Sequence, residues 1–294
     1  MNTVKNAVII VLSVIVLVQA AALLYVLRHT ERPSPASSPA PAFLEVPAAP
    51  EAPAGPSVAP QAVPQEPAVP VEGQIVLILD DWGYNVRNRS FIVDNDFHVT
   101  LSVLPFKPYS EVIAKLAYDK GKDVIVHMPM EPHDKQNYGL EEKMLAVGMR
   151  PADAVAMLDG AFASVPFAKG LSNHMGSRAT EDPALMRTVL TYLKKKDLFF
   201  VDSLVTPKSV CAATARRLGV AFTQRDVFID NEEDAGAIRA RLDELAQKAR
   251  THGIAVGIGH DRPLTIRVLD EEIPRLEREG IRFINVSDAL KERP

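Results

Sequence analysis

Beyond Gly73, short apolar runs alternate with amphipathic stretches. Ile75–Leu79 (IVLIL), Val99–Pro105, Asp123–Pro129, Lys169–His174, Leu198–Ser203, Val220–Gln224, Ile254–His260 and Ile281–Val286 are runs of strand length, rich in Val, Ile and Phe. Between them, Pro151–Ser164, Asp182–Lys195, Pro207–Leu218, Glu232–Thr251 and Leu264–Glu279 carry helical spacing, and Pro151 and Pro183 sit where a first helical turn accepts proline. Strand alternating with helix predicts an α/β fold, a parallel sheet with crossover helices. About eight strands at this spacing favour a closed or nearly closed (β/α) barrel over a doubly wound sheet.

The first part of the chain has a different pattern. Asn6–Leu27 is almost wholly apolar, long enough at ~1.5 Å per residue to span the ~30 Å core of a bilayer. About half of the 23 prolines follow between Pro33 and Pro70. A segment rich in Pro, Ala and Ser cannot bury enough surface to fold, so it is expected to act as an extended spacer. Three regions result: a membrane anchor over 1–28, a linker over 29–72 and one domain over 73–294. Ala20-Ala21-Ala22 would suit a signal peptidase, but the apolar run continues past it to Leu27, which favours an uncleaved helix. Either way the domain is expected outside the inner membrane, in the periplasm. The net charge of −4 and the lack of a basic stripe argue against a nucleic-acid binder. Cys211, the single cysteine, can form no intramolecular disulfide and is read as an inert buried thiol.

Polar residues collect at the ends of the apolar runs: Asp80-Asp81, His127 with Glu131 four residues on, Asn173-His174, Asp202-Ser203, Arg225-Asp226 and His260-Asp261. In a (β/α) barrel these strand ends converge on one face, where such barrels keep their chemistry. One carboxylate and two imidazoles, here Asp81, His127 and His174, suit a divalent metal, zinc first. Adjacent carboxylates oppose each other's ionisation unless a cation shares them, which leaves Asp80 to act as a base. His260 would then protonate a leaving group.

Plainer roles compete. The acidic pair can cap the next helix, His127 can be a buried hydrogen-bonded histidine, and His174 can belong to a loop. Asp202 and Arg225 can form a structural ion pair. His29, His98, His133 and His252 have no supporting neighbours and read as surface or loop residues. Trp82 and Tyr84 suit either core packing or a sugar-stacking platform, with packing favoured for Trp82.

The runs Ile78–Gly83 (ILDDWG), His127–Pro132 (HMPMEP), Asn173–Ser177 (NHMGS), Phe200–Ser203 (FVDS) and Gly257–His260 (GIGH) together resemble the divergent polysaccharide deacetylase family (YibQ-like proteins) from Gly73 to the end. That family is related to the NodB-homology carbohydrate esterases. The resemblance implies a distorted (β/α) barrel of the NodB type and metal-dependent removal of acetyl groups from glycans. It implies Asp80 as general base, Asp81 as metal ligand and His260 as general acid, with Asp202 and Arg225 as base-orienting groups. The better-known enzymes carry His-x-x-x-His, whereas here the second position is Glu131. Either His174 supplies the missing imidazole or Glu131 supplies a carboxylate. The function expected is a deacetylase-like hydrolase acting on an acetylated envelope polysaccharide or peptidoglycan. The alternative is an inactive glycan-binding barrel.

Overall fold

Ten residues, Gly73–Trp82, form the central strand β1 of the structure, a computed structural model that describes residues 70–134 and 143–292. The expected anchor at 1–28 and nearly all of the linker lie outside the described residues. Among the described residues no helix is long and apolar enough to cross a membrane.

Eight further strands follow: β2 (Thr100–Val103), β3 (Asp123–Met130), β4 (Gly170–Met175), β5 (Phe199–Asp202), β6 (Phe222–Gln224), β7 (Val227–Phe228), β8 (Ile254–His260) and β9 (Ile281–Ile284). Every pairing is parallel, in the order β6-β5-β4-β3-β2-β1-β8-β7. β9 borders the first half of β1, and β2 borders its second half. The helices are α1 (Arg89–Val93), α2 (Ser110–Asp119), α3 (Pro151–Ser164), α4 (Pro183–Lys195), α5 (Cys211–Leu218), α6 (Ala235–His252), α7 (Pro263–Arg278) and α8 (Val286–Glu292). Local chemistry sets their starts. Asp182 and Asp234 cap α4 and α6, accepting from the amides of Leu185 (2.7 Å) and Ala237 (2.8 Å). Pro151, Pro183 and Pro263 occupy first turns.

The sheet curls but does not close by a continuous ladder. β6 and β7 lie on its opposite edges, yet only Arg225 and Asp226 separate them in the chain. One extended segment is therefore shared. Its first half pairs with β5 and its second with β8, while Arg225 N–H donates to Asp202 and Asp226 N–H to Val256. The apolar run Val220–Gln224 covers only the first part of this segment, and β7 lies beyond it, because two residues give no periodicity to detect.

Alternation sorts the side chains. Val76, Ile78, Ile125, Val201, Val256 and Ile258 fill the inside of the curl. Ile75, Leu77, Leu79, Leu101 and Val126 belong to the larger core under the helices. This phase fixes which strand-end residues reach the interior, since successive residues face opposite sides.

Candidate metal centre and active site

Asp80, His127 and His260 continue the interior phase of Ile78, Ile125 and Ile258 by steps of two. His127 stands opposite Ser172 in the β3–β4 register, so His174 is its diagonal neighbour on the same face. Asp80 stands opposite His260 in the β1–β8 register.

Asp81 is out of phase and should face the helices. The β1–β2 register shifts between Leu79 and Trp82, and Asp81 takes φ = 67°, the left-handed region disfavoured for a side-chain-bearing residue. This irregularity turns Asp81 inward beside Asp80. It is the local strain that bulges store at functional sites. Trp82 is then buried as core packing, and the helix-capping role for the acidic pair is ruled out, because Asn88 occupies the N-cap of α1.

Asp81 Oδ1 lies 3.3 Å from His127 Nε2 and 3.0 Å from His174 Nδ1, and the two nitrogens are 3.2 Å apart. Ligands at ~2.0–2.1 Å from a tetrahedral ion stand roughly 3.3 Å apart, so the triangle has the dimensions of three of the four ligands of such an ion. The buried Asp81 Oδ1 accepts no well-directed hydrogen bond, an orphaned acceptor that a cation would satisfy. His127 Nδ1 lies 2.8 Å from Ser172 Oγ, which in turn lies 2.8 Å from Ser102 Oγ. That contact holds the ring with Nε2 toward the triangle, as an outer partner orients a metal-binding histidine. The Asp81, His127 and His174 group can therefore bind a metal ion.

Burial acts to raise the Asp81 carboxyl, but the adjacent imidazoles of His127 and His174 outweigh it and hold it far below the usual carboxylate range. Asp80 behaves oppositely. Its burial dominates the pull of His127 and His260 and pushes the carboxyl above its ordinary value. Asp80 Oδ1 is buried, has no hydrogen-bond partner and lies 3.5 Å from His127 Nδ1. A carboxylate of raised proton affinity beside a metal-sized triangle is equipped to take a proton.

His260 brings a partner that the sequence reading missed. Asp230, just beyond β7, accepts from His260 Nδ1 (2.9 Å), from the His260 backbone N–H (2.9 Å) and from Thr265 Oγ1 (2.8 Å). Burial acts to depress the imidazole, but Asp230 outweighs it, so the His260 pKa is raised. Burial likewise acts to raise Asp230, but the bonds from His260 lower it below the usual range. The sequence signal was present: Val227-Phe-Ile-Asp230 is another apolar run ending in an acid.

The other expected residues play different parts: Arg225 lines the same cavity as the centre, while Glu131 and Asp202 serve neighbouring loops. Glu131 does not join the triangle. Its oxygens accept from Val147 N–H (2.7 Å) and Arg178 Nη1 (2.8 Å), tying together the loops after β3 and β4. Four residues along an extended strand span ~13 Å, so Glu131 cannot share an ion with His127 unless the chain folds back. Asp202 and Arg225 form no ion pair. Val201 holds the interior phase, so Asp202 faces out and accepts from Leu204 N–H (2.8 Å) and Ser209 Oγ (2.6 Å). Arg225 donates to the carbonyls of Ser203 and Leu204 instead. His133 sits in a loop beside Glu181 (3.0 Å), and burial pushes the Cys211 thiol up, as an inert thiol requires.

The chain belongs to the divergent polysaccharide deacetylase family, whose model matches residues 77–290. An uncharacterized protein of Haemophilus influenzae is 33% identical over 217 residues, covering 74% of this chain and 76% of the relative. The uncharacterized protein YibQ of Escherichia coli is 30% identical over 220 residues, covering 75% and 68%. Among solved structures, an uncharacterized protein from Agrobacterium tumefaciens C58 shares the fold with a TM-score of 0.70 at 20% identity, covering 77% of this chain and 92% of its own.

Proposed function

We propose that the protein is a metal-dependent hydrolase that removes acetyl groups from a cell-envelope glycan. Its N-terminal apolar run would hold it at the inner membrane, with the domain in the periplasm. The observation that carries the catalytic part is the Asp81–His127–His174 triangle with Asp80 Oδ1 3.5 Å from His127 Nδ1 and His260 Nε2 4.0 Å from Asp81 Oδ2. The membrane part rests on the apolar length of Asn6–Leu27 and the proline-rich spacer after it.

A divalent ion held by Asp81, His127 and His174, zinc being the first candidate for one oxygen and two nitrogens, would supply Lewis acidity toward an acetyl carbonyl and lower the pKa of water. The protein's own groups handle the protons. Asp80 takes one from water as its oxygen adds to the carbonyl carbon. His260, protonated and held through Nδ1 by Asp230, gives one from Nε2 to the departing amine nitrogen as the C–N bond breaks. Acetate and a free amine result. Ser102 and Ser172 keep His127 oriented throughout.

The test is acetate release by the purified full-length protein from N-acetylglucosamine oligomers, together with its metal content. Stoichiometric metal and turnover that disappears in Asp80→Asn and His260→Gln are expected. No bound metal, with turnover unchanged in both variants, would overturn the proposal. Saturable glycan binding without acetate release would leave a binding barrel instead.

A further inference from the structure

The candidate centre opens into a cavity of about 440 Å³, within the range of small-molecule sites. Asp80, His127, His174 and His260 line one part of it, and Arg225 and Arg262 line another. The guanidiniums are held in place by backbone. Arg225 gives Nε to the Ser203 carbonyl (2.7 Å) and Nη2 to the Leu204 carbonyl (2.8 Å), and its guanidinium carbon lies 4.9 Å from the centre of the Phe228 ring. Arg262 gives Nη1 to the Asp230 carbonyl (2.9 Å). Among the described residues, Nη1 of Arg225 and Nε and Nη2 of Arg262 have no hydrogen-bond acceptor.

Neither arginine has a contact ion pair among the described residues, although Asp202 and Asp80 act on Arg225 from farther off. Among the described residues no carboxylate lies within ion-pair distance of either guanidinium, although several acids stand nearby. Asp81 faces the two imidazoles, Asp230 serves His260 and Thr265, and Asp202 serves Leu204 and Ser209. Two fixed guanidiniums with spare N–H groups in one partly enclosed cavity match a planar or tetrahedral oxyanion, which such forks bind with charge-assisted hydrogen bonds. A neutral acetylated sugar would leave those donors to water.

We infer that Arg225 and Arg262 form a subsite for an oxyanion on the substrate, so that the glycan is acidic, carrying a carboxylate or a phosphate on or beside the acetylated sugar. This rests on the glycan reading above and narrows it. The subsite would set KM and specificity, because it contacts a part of the substrate that does not react.

Binding to the full-length protein, measured by calorimetry, tests this without turnover. Three oligomers of equal length serve as probes: a neutral N-acetylglucosamine oligomer, one bearing a carboxylate, and one bearing a phosphate. At least one acidic oligomer is expected to bind at least tenfold more tightly than the neutral one, and which it is identifies the source of the anion. That preference is expected to shrink in Arg262→Gln, to vanish in the Arg225→Gln/Arg262→Gln pair, and to weaken with added salt. Because Arg225 also holds two carbonyls, Arg262→Gln alone keeps the test valid if the pair does not fold. Equal binding of all three probes would overturn the subsite and leave the glycan reading standing. A preference that survives Arg262→Gln undiminished would also overturn the subsite, and no binding of any probe would overturn both.

Discussion

His260 and Asp230 face each other from β8 and the end of β7, with Nδ1 and Oδ1 2.9 Å apart, and the same aspartate also accepts the His260 backbone N–H. Backbone and side chain are thus held by one carboxylate, leaving Nε2 directed toward Asp81 Oδ2 at 4.0 Å. Asp230 is a positioning residue, acting through the histidine.

Asp230→Asn is expected to lower kcat on the order of 10²-fold, the scale of general acid–base contributions. A purely structural role would not move the pH profile, but this one should. Asp230 raises the His260 pKa, so the acid form persists to higher pH in the native protein. Without that charge, the loss of activity on the alkaline side should begin at lower pH. An unchanged alkaline limb would contradict the assignment.

The pair also links stability to pH. His260 has a raised pKa, so its contribution is complete below its ordinary 6.5 and is lost as pH rises through the folded value. Asp230 has a lowered pKa, so its contribution is complete above its ordinary 3.8 and is lost as pH falls through the folded value. Denaturant midpoints should therefore fall less with pH change at either end in Asp230→Asn than in the native protein.

Metal stoichiometry should separate the triangle from Glu131. Asp81→Asn and His174→Ala should each lose bound metal on dialysis, as elemental analysis would show. Glu131→Ala should keep the metal but lose about 1–3 kcal/mol of stability, the cost of leaving a partly buried partner such as the Val147 amide unsatisfied. Metal loss in Glu131→Ala with retention in His174→Ala would reverse the ligand assignment.

Gly176 follows His174 by two residues and holds φ = +88°, and a Cβ there would stand 2.8 Å from Met130 Cβ. Gly176→Ala should cost roughly 1–3 kcal/mol from the backbone conformation alone, read as a lowered Tm. Metal affinity should drop with it, because β4 carries His174. A stability equal to the native protein would show that the loop relaxes freely.

Alternation in the sequence already placed much of the site. Asp80, His127 and His260 sit two residues beyond interior apolar positions on their strands, and period-two patterning is a local property that a single chain displays. The eight runs of strand length and the capped helices between them were legible for the same reason. Asp81 was different. Its inward turn depends on a register shift against β2 and a left-handed backbone, which no local pattern encodes. The role of Asp230 depends on a two-residue strand that is stable only because β8 pairs with it. The fate of Glu131 followed from Arg178, far along the chain, and that of Asp202 from the phase of Val201 beside it on β5, which only the curl of the sheet turns inward. Local patterning is enough to place acids and histidines at the strand ends. Which of them meet follows from the curl of the sheet past β2, which brings Asp81 to His127 and His174, three residues on strands that local periodicity cannot order in space.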